Sequence, residues 1–251
     1  PKNSLNTLRS YFKEKRNPHE MHREYQIVLT PKAKEVLKTI RKLQKKNQRK
    51  YTRVNEFAVR TDVIVDALLE ERREEILQRR SQARSLGEDY DLRKKNYAPL
   101  LYYLEKHLYG LVDRVTTRGH GGGISPVTYL ERVYIPRPLE EAIDRFLRSK
   151  TDIFRGNIST ETRRVLEYVL TETDQLRQRF RFHNRYPDFH RQQIMTATGL
   201  EEEEVQLRIA DLIGLVAEET KLANGDRGYR QNIFLPRCRE SLAREVLQSE
   251  V

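Results

Sequence analysis

Apolar residues recur at helical spacing in two similar stretches of the chain. The first, LTPKAKEVLKTI, covers residues 29–40, and the second, ISTETRRVLEYV, covers residues 158–169. Each begins near a residue that suits a helix N-cap, Thr30 in the first and Ser159 in the second, and then places apolar side chains three and four positions apart. The pattern therefore predicts an amphipathic helix in each stretch.

Two further pairs of similar segments follow in the same order, which predicts an internal repeat. YGLV at 109–112 matches IGLV at 213–216, and VYIPRPLEEAIDRFLRS at 133–149 matches IFLPRCRESLAREVLQS at 233–249. Two shorter helical patterns precede each Gly-Leu-Val. Apolar runs around a Gly-containing tip follow it and predict a hairpin, which leads through Pro-Arg into a closing helix.

Three helices followed by a β-hairpin resemble the winged-helix plan. Because this order occurs twice, the chain resembles a tandem winged-helix DNA-binding protein, with the architecture of two-domain plasmid replication initiators. The resemblance implies a mainly α protein with small β-hairpin wings, of the α+β class. We expect a basic N-terminal segment at 1–26, a first winged-helix unit at 27–150 and a second at 151–251.

The first unit contains a helical insertion at about 64–96 that the second unit lacks. The insertion is rich in Leu, Glu and Arg at helical steps, and Gly87 marks a helix end. It is interpreted either as a projecting arm for dimerisation or as a solvated extension of the second helix. A third interpretation takes VIVDALLEERREEIL as the third helix of the unit, although the Gly-Leu-Val match argues against it.

The composition is typical of a helix-rich globular protein, with 37% hydrophobic and 34% charged residues among 251. Apolar runs stay below the roughly 18 residues of a membrane span, and the first residues lack the apolar centre of a signal peptide. A single cysteine, Cys238, excludes an internal disulfide and a Cys-based zinc cluster. We expect a cytoplasmic, nucleoid-associated protein without a membrane partner.

Positive charge is concentrated near the start of the chain. Residues 1–60 hold 17 Lys and Arg against 5 Asp and Glu, a net charge of +12, whereas the remaining residues hold 31 against 32, a net charge of −1. A basic patch of this kind favours a polyanion as partner, nucleic acid first and an anionic membrane surface second. The alternative is a soluble helix with lysines on its solvated face.

Enzyme signatures are missing from the sequence, which has no Gly-Lys-Ser/Thr phosphate loop and no Gly-x-Ser-x-Gly elbow. GHGGG at 119–123 is interpreted as a hairpin tip. His19 and His22 have a spacing that can bind a metal, but no third ligand accompanies them. We predict no catalytic residue, no cofactor and no metal site.

Three groups of basic residues are candidate phosphate contacts. They lie in the first helix and its exit, in the two predicted wings, and in RQRFRFHNRYPDFHRQ. In this last segment arginines alternate with aromatic residues, which suits contact with the phosphate backbone together with stacking on bases. The alternative is a loop in which arginines lie beside core aromatic residues. Within the helix, four of the residues follow i, i+3, i+4, i+7 spacing and are predicted to share a face. The candidates are Lys38, Arg41, Lys42, Lys45, Lys46, Arg49, Lys50 and Arg53 in the helix and its exit, Arg114, Arg118, His120, Arg227 and Arg230 in the wings, and Arg177, Arg179, Arg181, Arg185 and Arg191 in the third group.

The predicted third helix of the second unit begins on four glutamates, Glu201 to Glu204. Negative charge there stabilises a helix through its dipole but repels phosphate. We therefore expect this helix not to read DNA bases and to be available to a protein partner.

Two functions remain open. The first is a non-enzymatic DNA-binding protein, such as a replication initiator, partition factor or transcription regulator, that acts as a homodimer and prefers duplex to single-stranded DNA. The second is a protein-interaction scaffold, because tandem winged-helix subunits of SMC–kleisin complexes resemble the same outline.

Overall fold

A computed structural model of the chain describes most of the predicted repeat. The described residues are 22–71, 100, 103–118, 129–159, 162–179, 188–212, 214–222 and 229–248. The predictions for the N-terminal segment up to residue 21, for residues 72–96 of the insertion and for the hairpin tips at 119–128 and 223–228 lie outside these ranges.

The first half of the chain begins with a strand and a long helix and ends with a hairpin and a helix. Its elements are β1 (His22–Val28), α1 (Pro31–Gln48), α2 (Val54–Phe57), β2 (Val59–Arg60), α3 (Thr61–Glu71), a π-helix (Leu104–Leu108), β3 (Asp113–Arg118), β4 (Tyr129–Tyr134) and α4 (Arg137–Arg148). The predicted N-cap of α1 is confirmed, since Thr30 Oγ1 accepts the N–H of Ala33 at 3.2 Å and Pro31 starts the helix.

The second half repeats this order, and its described residues, which exclude 180–187, contain no counterpart of α2. Its elements are β5 (Ile153–Ser159), α5 (Arg163–Arg179), β6 (Asp188–His190), α6 (Arg191–Thr198), α7 (Glu202–Asp211), β7 (Ala217–Leu222), β8 (Tyr229–Phe234) and α8 (Arg237–Gln248). Ser159, predicted as the N-cap of α5, is instead the last residue of β5, and its hydroxyl accepts the N–H of Thr162 at 3.3 Å. The expected α+β class, mainly helical with strands in sheets, is confirmed.

The hairpins of the two halves form one sheet. Its strand order is β2-β4-β3-β7-β8-β6, and β3 and β7 pair in parallel from Arg114 opposite Glu219 to Thr117 opposite Leu222. Because these two central strands run in the same direction, both hairpins turn at the same end of the sheet.

A separate two-stranded sheet also joins the halves. Strand β1 pairs antiparallel with β5 along their full lengths, with Tyr25 opposite Gly156 at the centre. One hydrophobic cluster runs through both halves and includes Leu37 and Ile40 of α1 together with Leu166 of α5. Strand β1 of the first half therefore takes its pairing partner from beyond the predicted unit boundary at 150/151.

Glycines allow the backbones of the two halves to meet. Gly110 and Gly214, each the first residue of a Gly-Leu-Val, have φ values of 99° and 102°, and the N–H of Gly214 donates to the carbonyl of Gly110 at 2.9 Å. A Cβ on Gly110 would lie 2.7 Å from the carbonyl oxygen of Gly214, and one on Gly214 would lie 2.7 Å from the hydroxyl of Tyr25. Side chains are thus excluded from this junction by space as well as by backbone conformation.

Arg239 of α8 is buried beside these glycines, with 5% of its surface exposed. Its Nη2 donates to the carbonyl of His107 at 3.0 Å, so a cation meets the C-terminal end of the π-helix, where the helix dipole favours it. Burial lowers the pKa of Arg239 and raises that of the nearby Tyr25. The second half thereby supplies a hydrogen-bond donor to the π-helix of the first half.

Replacing Gly156 with Ala should destabilise the protein by roughly 1–3 kcal/mol, because the new Cβ would lie 2.2 Å from Cζ of the buried Tyr25 ring. Gly199→Ala is the control, since nothing lies within 4 Å of a Cβ there and only its φ of 69° opposes the substitution, at about 1 kcal/mol. Urea unfolding of both variants measures the difference. Equal stabilities would contradict the packing described for Tyr25.

Candidate nucleic-acid interface

The outward face of α1 and its exit is basic. Seven of the eight candidates there are exposed: Lys38, Lys42, Lys45, Lys46, Arg49, Lys50 and Arg53. Three of them, Lys38, Lys42 and Lys46, are spaced four residues apart and form a row along the helix. We call the seven residues the basic face.

Packing of the opposite side of α1 determines which residues point outwards. Val36, Leu37 and Ile40 are buried in the core. The amide of Gln44, also fully buried, donates to the carbonyl of Ile135 at 3.0 Å and accepts the N–H of the same residue at 2.6 Å. Because both the nitrogen and the oxygen of the Gln44 amide are hydrogen-bonded to the backbone of Ile135, rotation of α1 about its axis is restricted. The lysine row therefore stays exposed.

Arg41, predicted as a phosphate contact together with Lys38, Lys42 and Lys45, is buried and does not belong to the basic face. Only 7% of its surface is exposed. Its Nε and Nη2 each donate to one oxygen of Asp144 at 2.9 Å, and Nη2 lies 3.2 Å from a carboxylate oxygen of Glu140. This two-point contact with a carboxylate occupies Nε and Nη2 of the guanidinium, and burial of the side chain keeps it from a phosphate in solution.

Asp144 also binds Lys45, whose Nζ lies 3.0 Å from Oδ2. The hydrogen bond from Arg41 is the main cause that lowers the pKa of Asp144 to about 2, and the one from Lys45 adds to it. Lys45 still exposes 52% of its side chain. It therefore anchors α4 to α1 while its ammonium group stays accessible.

Arg114 and Arg191, predicted as phosphate contacts, instead pair with carboxylates of β7. Nη2 of Arg114 lies 3.1 Å from Glu219 and its guanidinium lies 4.5 Å from the ring centroid of Phe234, while Nη2 of Arg191 lies 3.2 Å from Glu218. Both arginines are partly buried. These two predictions are corrected, because charge that is paired inside the fold adds little to the attraction of a polyanion.

A buried carboxylate that the sequence did not single out, Asp113, lies at the same place. It accepts the N–H of Glu218 at 2.9 Å, so it bridges β3 and β7. Burial, with a smaller contribution from the charge of Glu218, raises the pKa of Asp113 well above its usual range. Asp113 and the Arg114–Glu219 ion pair therefore connect β3 to β7.

The remaining candidates lie at the ends of elements or outside the described residues. Arg177 pairs with Glu240 at 2.5 Å, and Arg179 is exposed at the end of α5. Arg118 lies in β3 and Arg230 in β8. The candidates outside the described ranges are His120, Arg181, Arg185 and Arg227.

The acidic helix forms as expected. Gly199 ends α6 in the left-handed conformation, and α7 starts after Glu201 with three glutamates in its first turn. Glu201, Glu202 and Glu203 are exposed, whereas Glu204 is half-buried. The most acidic exposed turn thus lies in the second half of the chain, away in sequence from the basic face.

The described residues offer no alternative site for metal chemistry. Among them, no group of three or more His, Cys, Asp or Glu side chains is placed to hold a metal ion. Of the histidine pair considered for metal binding, His22 lies in β1 and His19 lies outside the described ranges. None of the helices in those ranges is both long and apolar enough to cross a membrane.

A comparison of the chain with known protein families, curated proteins and solved structures found no match.

Asp144→Asn should destabilise the folded protein at neutral pH by roughly 1–3 kcal/mol, because it removes the carboxylate from a buried arginine. The wild-type carboxylate contributes stability above its unfolded pKa of about 3.9 and loses that contribution as the pH falls towards about 2. The difference between wild type and variant should shrink over this range in denaturant unfolding. A difference independent of pH would contradict the pairing with Arg41.

Proposed function

We propose that the protein is a non-enzymatic DNA-binding protein of tandem winged-helix architecture, in the class of replication initiators, partition factors and transcription regulators. In this proposal it acts as a homodimer and holds duplex DNA through phosphate contacts from the basic face. The observation that carries the proposal is the exposed row Lys38, Lys42 and Lys46, which continues into Arg49.

Charge on α1 supports phosphate binding because it is both concentrated and exposed. Glu35 is the only acidic residue among positions 31–48, and residues 22–60 hold 12 Lys and Arg against 3 Asp and Glu. Lysines on a solvated helix attract the phosphate backbone and gain affinity by releasing its counterions. Such contacts position a duplex without reading its sequence.

Helix α5 provides an internal comparison, because it occupies the same place in the order of elements. Its buried residues Val165, Leu166 and Val169 match Val36, Leu37 and Ile40 of α1. The exposed positions that match Lys38, Lys42, Lys46 and Arg49 are Glu167, Thr171, Gln175 and Gln178. Since the second half forms this helix without a basic face, the basic residues of α1 are not a requirement of the fold.

The order of elements supports the winged-helix part of the proposal. In each half, helical elements precede a two-stranded hairpin, and a closing helix follows it. Winged-helix proteins use this order to place a wing beside a helix-turn-helix. Parallel pairing of β3 and β7 brings both hairpins to one end of the sheet, where the two wings of one chain would lie side by side.

The exposed glutamates of α7 favour a second role for the second half. A third helix with an acidic first turn repels phosphate and suits a basic protein surface. We therefore propose, as the alternative function, a protein-interaction scaffold of the kind found in SMC–kleisin complexes. In a combined version, the first half binds DNA and the second binds a protein partner.

Reversal of charge on the basic face should weaken binding to random duplex DNA. Lys42→Glu together with Lys46→Glu should lower the salt dependence of log K by about 2, because each lost phosphate contact removes about one unit. Salt-titrated fluorescence anisotropy gives this slope. The matched control is Lys150→Glu with Arg164→Glu, which changes the net charge equally at exposed positions outside α1. Equal losses in both variants would contradict a localised site.

Replacement of Glu201, Glu202, Glu203 and Glu204 by Gln should leave duplex affinity unchanged or slightly increased. The physical reason is that removal of negative charge reduces repulsion of phosphate. The same anisotropy assay tests this. A large loss of affinity would mean that α7 contacts DNA, and the assignment of binding to α1 would then be wrong.

A further inference from the structure

The chain leaves α1 through a short segment in which an aromatic residue, Tyr51, is flanked in sequence by basic residues. Residues 49–53 read Arg-Lys-Tyr-Thr-Arg, and all five are exposed. Tyr51 exposes 46% of its surface. Val28 and Val63 are the other large apolar side chains exposed to a similar extent in the described part of the chain, and neither has a basic neighbour in sequence.

The backbone on both sides of Tyr51 is held in place. The N–H groups of Lys50 and Tyr51 both donate to the carbonyl of Asn47, at 2.9 Å and 3.0 Å. Beyond the ring, the guanidinium of Arg137 donates to the carbonyl of Thr52 at 3.1 Å. A fixed backbone limits the conformational freedom that the tyrosine loses when a ligand binds.

The backbone of Arg53 is also held in place, because its carbonyl accepts the N–H groups of Glu56 and Phe57 at 3.0 Å and 3.1 Å. The side chain of Asn47 donates to the carbonyl of Phe57 at 3.2 Å, which ties the end of α1 to α2. The exit of α1 is thus a hydrogen-bonded corner that presents its side chains to solvent.

The ring of Tyr51 is available for contact. Within the described residues, its side chain takes part in no ring contact, ion pair or hydrogen bond, and its one hydrogen bond is made by the backbone. A tyrosine that served only to cover the core would pack its ring against apolar neighbours, as the buried Tyr109 does against Phe234.

An aromatic ring beside cations is suited to unpaired nucleic acid. The faces of unpaired bases are free to stack on it, whereas bases in a duplex stack on one another. The cations meanwhile contact the phosphates that link successive bases. Base stacking is tolerant of sequence, so this chemistry selects for single strands without selecting a motif.

We propose that Tyr51 stacks on a base of single-stranded nucleic acid whose phosphates lie along the basic face of α1. This inference rests on the proposed function, because it uses the same cations, and it adds a second binding mode to the same surface. A duplex binds through phosphates alone, and an unpaired strand binds through phosphates and the ring.

The test compares three variants of the whole chain on three ligands of equal length. The ligands are an oligothymidine strand, the same strand with abasic residues in place of thymidine, and a random-sequence duplex. The variants are Tyr51→Ala, Tyr51→Phe and, as an exposed apolar control, Val63→Ala. Since both positions are exposed, thermal unfolding should match the wild type and confirm that each variant is folded.

Tyr51→Ala should weaken binding to oligothymidine roughly 5- to 150-fold, the range expected for loss of one stacked base. It should leave the affinities for the duplex and the abasic strand unchanged, because neither offers a free base. Tyr51→Phe should keep the wild-type affinity for oligothymidine, since stacking requires the ring and not the hydroxyl. Val63→Ala should behave as wild type on all three ligands.

Other outcomes overturn the inference in distinguishable ways. Equal losses on all three ligands for both Tyr51→Ala and Tyr51→Phe would assign the residue to a hydroxyl–phosphate contact. Wild-type affinity of Tyr51→Ala for oligothymidine would remove the stacking role but leave the proposed function standing. Failure of the wild-type chain to bind any of the ligands at low salt would overturn the proposed function and this inference together.

Discussion

Close approach of two backbones at glycine is the constraint on which the rest of the fold depends. The Tyr25 ring occupies the space that a side chain on Gly156 would need, and its hydroxyl reaches Gly214. The N–H of Gly214 in turn donates to the carbonyl of Gly110. A side chain on Gly156 would prevent Tyr25 from lying opposite it at the centre of the β1–β5 pair. A side chain on Gly110 or Gly214 would prevent the two Gly-Leu-Val segments from lying side by side. Because both halves share this junction and one hydrophobic core, α1 has a fixed position relative to the second half.

Contacts around the long helices occur at matching positions in both halves, but their charges differ. Lys45 of α1 binds Asp144 of α4 at 3.0 Å, and in the second half Asp174 of α5 binds Arg244 of α8 at 2.7 Å, with the signs exchanged. The contact between the long helix and the closing helix thus contains an ion pair in both halves, with opposite polarity. The exposed positions are under no such constraint from packing. For this reason, the concentration of lysine on α1 alone is informative about function.

The sequence predicted contacts within one element well and contacts between distant elements poorly. Helical spacing and N-cap chemistry located α1, and the glutamate run located the start of α7, since each signal is local. The burial of Arg41 could not be predicted in this way, because its partner Asp144 lies 103 residues further along the chain. The same holds for Arg114 and Glu219, which are brought together by parallel pairing of β3 and β7. Helical spacing placed Arg41 beside lysines but carried no information about which side of α1 meets α4.

The acidic turn of α7 and the basic face of α1 act on phosphate in opposite ways. Phosphate contacts carry no sequence information, so a row of lysines alone would bind any polyanion in many orientations. Negative charge elsewhere on the same molecule penalises the orientations in which phosphate approaches that charge. In the proposed function, α1 therefore supplies attraction and α7 restricts the approach. Selectivity then depends on which nucleic-acid conformation allows phosphates to follow α1 while a base reaches Tyr51, and base-edge contacts from α7 are not required.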